Sequence, residues 1–373
     1  MPMASTLIAS LPYLFLLFLV ASCQSDKPHS SEPVLSTTEE KSSESFRFFI
    51  DHDPVYLYDK PGFDQKARSS LSWQEAVIDL GEVSPFTTTL LLGGQNLDEP
   101  WLKVRTAKGE EGWIYGGFLK VDPLASKDGK ELWEKKRLQA LLGKDLFTRM
   151  MAYRENWDHA ESDAEIAMLF RAGKSIQADL NQRLFQKYSD QQILPDLFWM
   201  APWFPGLSPE LIHNRSRYHF FLNFGVFFHR STRSQGDADN RFFKLQLQLY
   251  PQDSIEYFYP SWMIPLAEKE AHNLLGRGLQ LSILKQMGDQ LKKDSLFAPE
   301  YRQIAHRLAH DISRSNATFW EERDKILQEL DSILALPEPI LDKRDLIALQ
   351  TKRRAFAHSE QNGILMNVKS GMN

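Results

Sequence analysis

Trp101-Leu102-Lys103-Val104-Arg105-Thr106, the turn Lys108-Gly109-Glu110, and Gly112-Trp113-Ile114-Tyr115-Gly116-Gly117-Phe118-Leu119 decide how this chain begins to fold. Two runs of β-branched and aromatic residues flank a glycine turn, which reads as a β-hairpin. Working outward, Val55-Tyr56-Leu57-Tyr58 alternates before Asp59-Lys60-Pro61-Gly62, where Pro and Gly suit turn dihedrals. Thr87 to Leu92 is a further strand-like run, closed by Gly93-Gly94.

These residues resemble the bacterial SH3 family, a small all-β barrel. The family pattern is a first strand ending in a Pro-Gly or Pro-Ser turn, then W-x-K-V, a hairpin, and G-W-[VI]-x-x-x-[YF]-L. Here Val55 to Gly62, Trp101 to Val104 and Gly112 to Leu119 carry it, over about 70 residues or a fifth of the chain. The chain departs from the pattern where 38 residues separate Gly62 from Trp101. There Ser72-x-x-Glu75 is a capping signal, and Ser69 to Asp79 is an inserted loop or short helix. The resemblance implies that Trp113 and Val104 fill the barrel, and that Gly116 and Gly117 make a tight final turn. It also implies binding of cell-wall peptide or polysaccharide, or of a protein partner. Tyr56, Tyr58, Trp101 and Tyr115 are expected to face outward and are the candidate binding residues, since an exposed aromatic groove stacks on sugars or holds a peptide.

Leu7 to Val20 is almost wholly apolar. It is short for a membrane span of about 20 residues and fits the hydrophobic region of an export signal. Val20-Ala21-Ser22-Cys23 resembles the lipobox of bacterial lipoproteins, which implies cleavage before Cys23 and acylation of its thiol. Residues 1–22 hold no Lys or Arg, so only the terminal amine supplies the positive start. Each buried acyl methylene contributes about 0.8 kcal/mol, and one chain holds only reversibly. The several chains implied by the resemblance make the anchor permanent. Gln24 is not the Asp that retains many such proteins on the inner membrane, which implies a periplasm-facing place on the outer membrane. Residues 23–45, rich in Ser, Glu, Lys, Thr and Pro, read as a flexible tether.

Charge is balanced, with 44 Lys and Arg against 49 Asp and Glu, and no basic block suited to nucleic acid occurs. Cys23 is the only cysteine, so once it is lipidated there are no disulfides, thiolate metal sites or cysteine nucleophile. Beyond Pro123 the pattern is helical. Asp128 to Asn156 has leucines near helical spacing, interrupted by Gly143. Ser162-x-x-Glu165 is a capping box opening a helix through Tyr188, and Ser208-Pro209-Glu210 is expected to open another. Further helices are expected near 239–250, 262–293, 299–334 and 342–356, with a short strand at Leu245 to Tyr250 as the one alternative. Tyr218 to Phe228 is apolar all round and predicts a buried central helix. Between Phe198 and Trp262 about a quarter of residues are aromatic. A packed core is the favoured reading, with an aromatic pocket lipped by Phe198 to Phe204 as the sharper one.

The linear sequence presents no catalytic constellation. His306-x-x-x-His310 has zinc-helix spacing, but Arg307 stands where the glutamate base belongs; two surface histidines are expected and no metal. Gly236 to Asn240 carries half of a calcium-loop pattern, and Asp237 or Asp239 is expected to cap a helix. His213, Arg215, Arg217, His219, His229, Arg230, Arg233 and Arg241 are either the solvated ends of the central helix or a collector of an anionic ligand. A glycosidase needs two carboxylates across a cleft, and nothing linear selects a pair.

The expectation is therefore a multidomain chain: signal peptide 1–22, tether 23–45, SH3-like barrel 46–123, a mainly α-helical domain 124–358 and a disordered tail 359–373. Its expected role is non-enzymatic, without cofactor: it is held to the membrane by lipidated Cys23 and binds peptidoglycan or an envelope protein. The alternative is a peptidoglycan hydrolase, with the helical domain catalytic and the barrel targeting. Mass spectrometry of the membrane form should find an acylated N-terminal Cys23; an intact Met1 would refute cleavage.

Overall fold

The computed structural model describes residues 47–122, 127–267, 270–336 and 340–367. The export signal, Cys23 and the tether lie outside the described residues. Seven strands come first: β1 Arg47–Ile50, β2 Val55–Tyr58, β3 Ala67–Leu71, β4 Ala76–Leu92, β5 Gln95–Thr106, β6 Glu111–Tyr115 and β7 Leu119–Val121. They form one antiparallel sheet in the order β3-β2-β6-β5-β4-β1-β7. Its edges are β3 and β7, and it does not close on itself.

The hairpin expected around Gly109 is β5–β6, with Trp101 opposite Tyr115 and Lys103 opposite Trp113. Period-two alternation puts Leu102, Val104 and Ile114 into a core shared with Phe48, Leu57 and Val77. No helix is inserted between β3 and β4. Ser72 N–H donates to the Glu75 carboxylate (3.2 Å) and Glu75 N–H to the Ser72 carbonyl (3.0 Å). With Gln74 at φ 63°, the capping signal closes a tight turn instead.

β4 and β5 run on as a long hairpin, Thr87 to Leu92 against Gln95 to Pro100. Gly93 and Gly94 at φ 57° and 83° form its tip, the two left-handed residues that a two-residue hairpin turn requires. Two helices follow, α1 Lys127–His159 and α2 Asp163–Tyr188, and they grip this hairpin. Asp98 accepts from Thr87 Oγ1 (3.0 Å) and the Tyr188 hydroxyl, with Lys187 Nζ at 3.3 Å. Glu99 is bound by Arg137 through two N–H groups, and Lys136 pairs with Asp79. Burial pushes the Glu99 carboxyl up, against the pull of Arg137. Trp133 of α1 meets Phe48 edge-on at 5.4 Å and belongs to the sheet core. The described residues form one compact unit.

Helix α1 breaks at Gly143, whose φ of 74° and ψ of 163° are not helical. Arg183 of α2 donates to the Leu141 carbonyl near that break at 2.6 Å. The Ser162–Glu165 capping box is formed and opens α2. Beyond α2 several sequence expectations fail. Ser208-Pro209-Glu210 lies in a strand, β8 Leu207–Ile212, paired with β9 Arg217–Leu222. Tyr218 to Phe228 is therefore no single helix: it is β9, then Asn223, then α3 Phe224–Ser231. An apolar run without periodicity cannot tell strand from helix, and Asn223 Oδ1, accepting from Val226 N–H at 3.0 Å, caps α3. Asn181 of α2 acts as a substitute strand for β9, exchanging both hydrogen bonds with the Phe220 backbone (2.7 and 3.0 Å).

Leu245 to Tyr250 ends a helix, α4 Ala238–Leu249, and is not a strand. The helix expected over 262–293 is β10 Met263–Ala267 and β11 Glu270–Asn273 followed by α5 Leu279–Lys293. The helix expected over 299–334 is α6 Ala298–Ser313 and α7 Arg323–Leu334, separated by β12 Thr318–Phe319, which pairs parallel to β11. α8 is Lys343–Ala357. After it, residues expected as tail fold back: Phe319 N–H donates to the Leu365 carbonyl (2.9 Å) and Asn367 N–H to that of Glu321 (3.1 Å). No helix among the described residues is long and apolar enough to cross a membrane.

Replacing Asp98 by Ala should destabilise the fold by about 3–5 kcal/mol, because Lys187 and the Tyr188 hydroxyl would lose their buried acceptor. Asp98→Asn should cost less. Urea denaturation checks both, and an unchanged midpoint for Asp98→Ala would refute the grip.

Candidate functional site

The outer face of the sheet gathers the expected aromatics. Alternation along β2 buries Val55 and Leu57 and turns Tyr56 and Tyr58 outward. Tyr58 stands opposite Trp113, which stands opposite Lys103. Trp101 and Tyr115 share that face, with ring centroids 5.7 Å apart. Phe63, from the turn after β2, lies 4.7 Å from Trp101 and 5.4 Å from Tyr115. Phe118, in the short 3-10 turn Gly116–Phe118, closes on Tyr115 at 5.3 Å.

The four candidates do not contribute equally. Trp101 and Tyr115 were expected at the surface but are 0 % exposed. Their polar tips are spent on the long hairpin: Trp101 Nε1–H donates to Thr88 Oγ1 (2.8 Å), and the Tyr115 hydroxyl to the Thr88 carbonyl (2.8 Å). They form the floor of the face. Its accessible part is Tyr56, 44 % exposed, and Phe63, 40 % exposed, with Tyr58 and Trp113 half-buried. Trp113, expected inside the barrel, is thus on the outer face, and Ile114 takes the core position. Phe63 was missed, although an aromatic directly after Pro61-Gly62 was a signal. The rim is charged, with Arg105–Glu111 at 2.6 Å and Lys103–Glu82 at 2.6 Å. Burial and the neighbouring Tyr56 raise the Tyr58 hydroxyl above its usual range.

Elsewhere the sequence candidates separate. Met200, Trp203 and Phe204 are buried. Trp203 Nε1–H donates to Glu134 (2.8 Å) and Arg137 lies 3.8 Å above the Trp199 ring, so this segment is anchored by its buried residues while Phe198 stays exposed. Asp237 occupies the cap position of α4 without a side-chain bond to it, while Asp239 is buried and accepts from Ser234 (2.6 Å). His306 Nδ1 meets Asp345 at 2.7 Å, and no group of three or more metal-type ligands gathers among the described residues. The cationic set splits. His213 and Arg215 sit in the left-handed β8–β9 turn, whereas Arg230 is tied to the Trp157 carbonyl (3.0 Å) and Arg241 to Asp237. Two carboxylates, Glu256 and Glu300, do line one cavity among the helices. Glu300 is held by Arg171 at 2.7 and 3.1 Å. The carboxyl of Glu256 is pushed up by burial and lowered in part by Lys174 and Arg307.

No family model, curated protein or solved structure matches this chain.

His219 is pushed down to about 4 by burial, then by Arg217 and His213. Its Nε2 lies 3.3 Å from Asn181 Nδ2, where the neutral ring accepts from the amide. The unfolded chain takes up this proton near 6.5 and the folded one near 4, so the contribution to stability is present above pH 6.5 and is lost as pH falls towards 4. His219→Gln should flatten the fall of the urea midpoint across that window; an unchanged slope would refute the assignment.

Proposed function

We propose that this chain is an exported lipoprotein anchored through Cys23, whose sheet is an SH3-like module that binds peptidoglycan in a non-enzymatic envelope role. The observation that carries this reading is the aromatic face. Tyr56 and Phe63 are open to solvent above a floor of rings whose polar tips are already bonded, and a charged rim surrounds them. Such a surface offers ring planes for sugars and an apolar shelf for peptide stems. The SH3-like kinship rests on the spacing of Val55–Gly62, Trp101–Val104 and Gly112–Leu119 and on the antiparallel pairing of these segments. The outer-membrane, periplasm-facing location rests on the lipobox and Gln24. Against the hydrolase alternative stands the Arg171 clamp on Glu300, which leaves Glu256 as the one carboxylate of that cavity without such a partner.

The test is co-sedimentation of the full chain with purified peptidoglycan, with supernatants assayed for released fragments. Pelleting without release is expected, and Tyr56→Ala and Phe63→Ala together should weaken it about tenfold or more, with circular dichroism unchanged. No pelleting would overturn the wall assignment in favour of a protein partner, and released muropeptides would overturn the non-enzymatic role.

A further inference from the structure

Helices α2, α3, α4 and α6, with the segment 250–262, line a cavity of about 210 Å³ that shares no residue with the aromatic face. This is room for a small molecule or a cluster of waters, too small for a glycan chain. Its apolar part is Phe170, Phe224, Phe242, Leu249 and Trp262. Three polar features stand against that lining.

The first is Gln246 of α4. It is 3 % exposed and lines the cavity, and its side-chain amide makes no hydrogen bond among the described residues. Other buried amides each make at least one bond: Asn181 with Phe220, Asn273 with the Asp311 carbonyl, and Gln280 through its NH2 group with Asn273. The Gln246 amide opens onto the cavity, where whatever fills that space meets it; left without any partner it would cost about 1–3 kcal/mol. The second is the carboxylate of Glu256, which has no cation on its own segment. The third is the pair of cations from other helices, Lys174 of α2 and Arg307 of α6. Both are held in place, Lys174 by Gln303 (2.7 Å) and Arg307 by the Tyr250 hydroxyl (2.7 Å) and the Phe258 carbonyl (2.6 Å).

With Glu300 already neutralised by Arg171, a small space with one unclamped carboxylate, two fixed cations, a free amide and an aromatic wall selects its occupant by charge. A lone anion would face Glu256, and a neutral sugar would displace water from charged groups and return only dipoles. Buried charge is tolerated when it is paired. We propose that this cavity binds a free amino acid: its ammonium at Glu256, its carboxylate at Lys174 and Arg307, its apolar side chain against the aromatic wall, and the Gln246 amide completing its hydrogen bonds on the bound molecule.

Calorimetric titration of the full chain with individual L- and D-amino acids tests this, with glucose and inorganic phosphate as the neutral and anionic probes. Saturable binding of at least one apolar amino acid is expected, with neither control competing. Gln246→Leu should leave the melting temperature equal or higher, since it removes an unpartnered amide, yet weaken binding about tenfold, or ~1.4 kcal/mol. Glu256→Gln should weaken it at least as much. Absence of binding by every amino acid up to about 10 mM, where even a ~1 mM site fills, would overturn the proposal. Unchanged affinity in either variant would overturn it too, as would glucose or phosphate competing for the site. The peptidoglycan assay uses a different surface, so failure of one leaves the other standing.

Discussion

Two neighbouring carboxylates, Asp98 and Glu99, hold the architecture together. Side chains of adjacent residues on a strand point to opposite faces, so a pair buried on both sides needs partners on both sides. Here Arg137 of α1 answers Glu99, and Lys187 and Tyr188 of α2 answer Asp98. The hairpin that carries them is thereby set between two helices and cannot slip by one residue without exchanging the partners. Buried ion pairs contribute little to net stability compared with well-packed apolar side chains, but they are costly to break singly. Their effect is on register, and register decides that Trp101 and Tyr115 reach Thr88 and Leu97.

How much of this was legible in the sequence depended on distance along the chain. The hairpin around Gly109 and the capping box at Ser162 could be read because each signal lies within a few residues of its target. The kink at Gly143 was legible for the same reason. Burial of Trp101 and Tyr115 was not, because Thr88, to which both bond, lies 13 and 27 residues away on β4. Tyr218 to Phe228 misled because its apolar residues have no period, and only Asn223 marked the junction. Strands β10 and β11 were hidden by a helical reading that ran back from α5, since the group that sets the start of α5 is not local.

The molecule divides its polar chemistry unevenly. On the sheet, the polar tips of Trp101 and Tyr115 are satisfied within the fold and the exposed part presents the rings of Tyr56 and Phe63, which suits a large, flat or extended ligand. Among the helices the reverse holds: the space is small, and its charged groups are fixed while one amide has no partner. A surface of the first kind gains its affinity from area, and a cavity of the second kind from complementarity of charge.

Helix α5 begins after Gly276 and Gly278, and no residue of its own caps it. The N–H groups just before and at its start are met from α7, where Glu329 accepts from Gly276 (2.6 Å), Gly278 (2.8 Å) and Leu281 (3.0 Å). The same order recurs in the ion pair of Arg171 with Glu300, across 129 residues. During synthesis α5 emerges before Glu329, which meets its start, and Arg171 of α2 emerges before its partner Glu300. The helical region is thus closed by contacts between elements far apart in the chain, and these form only when the later partner has been made.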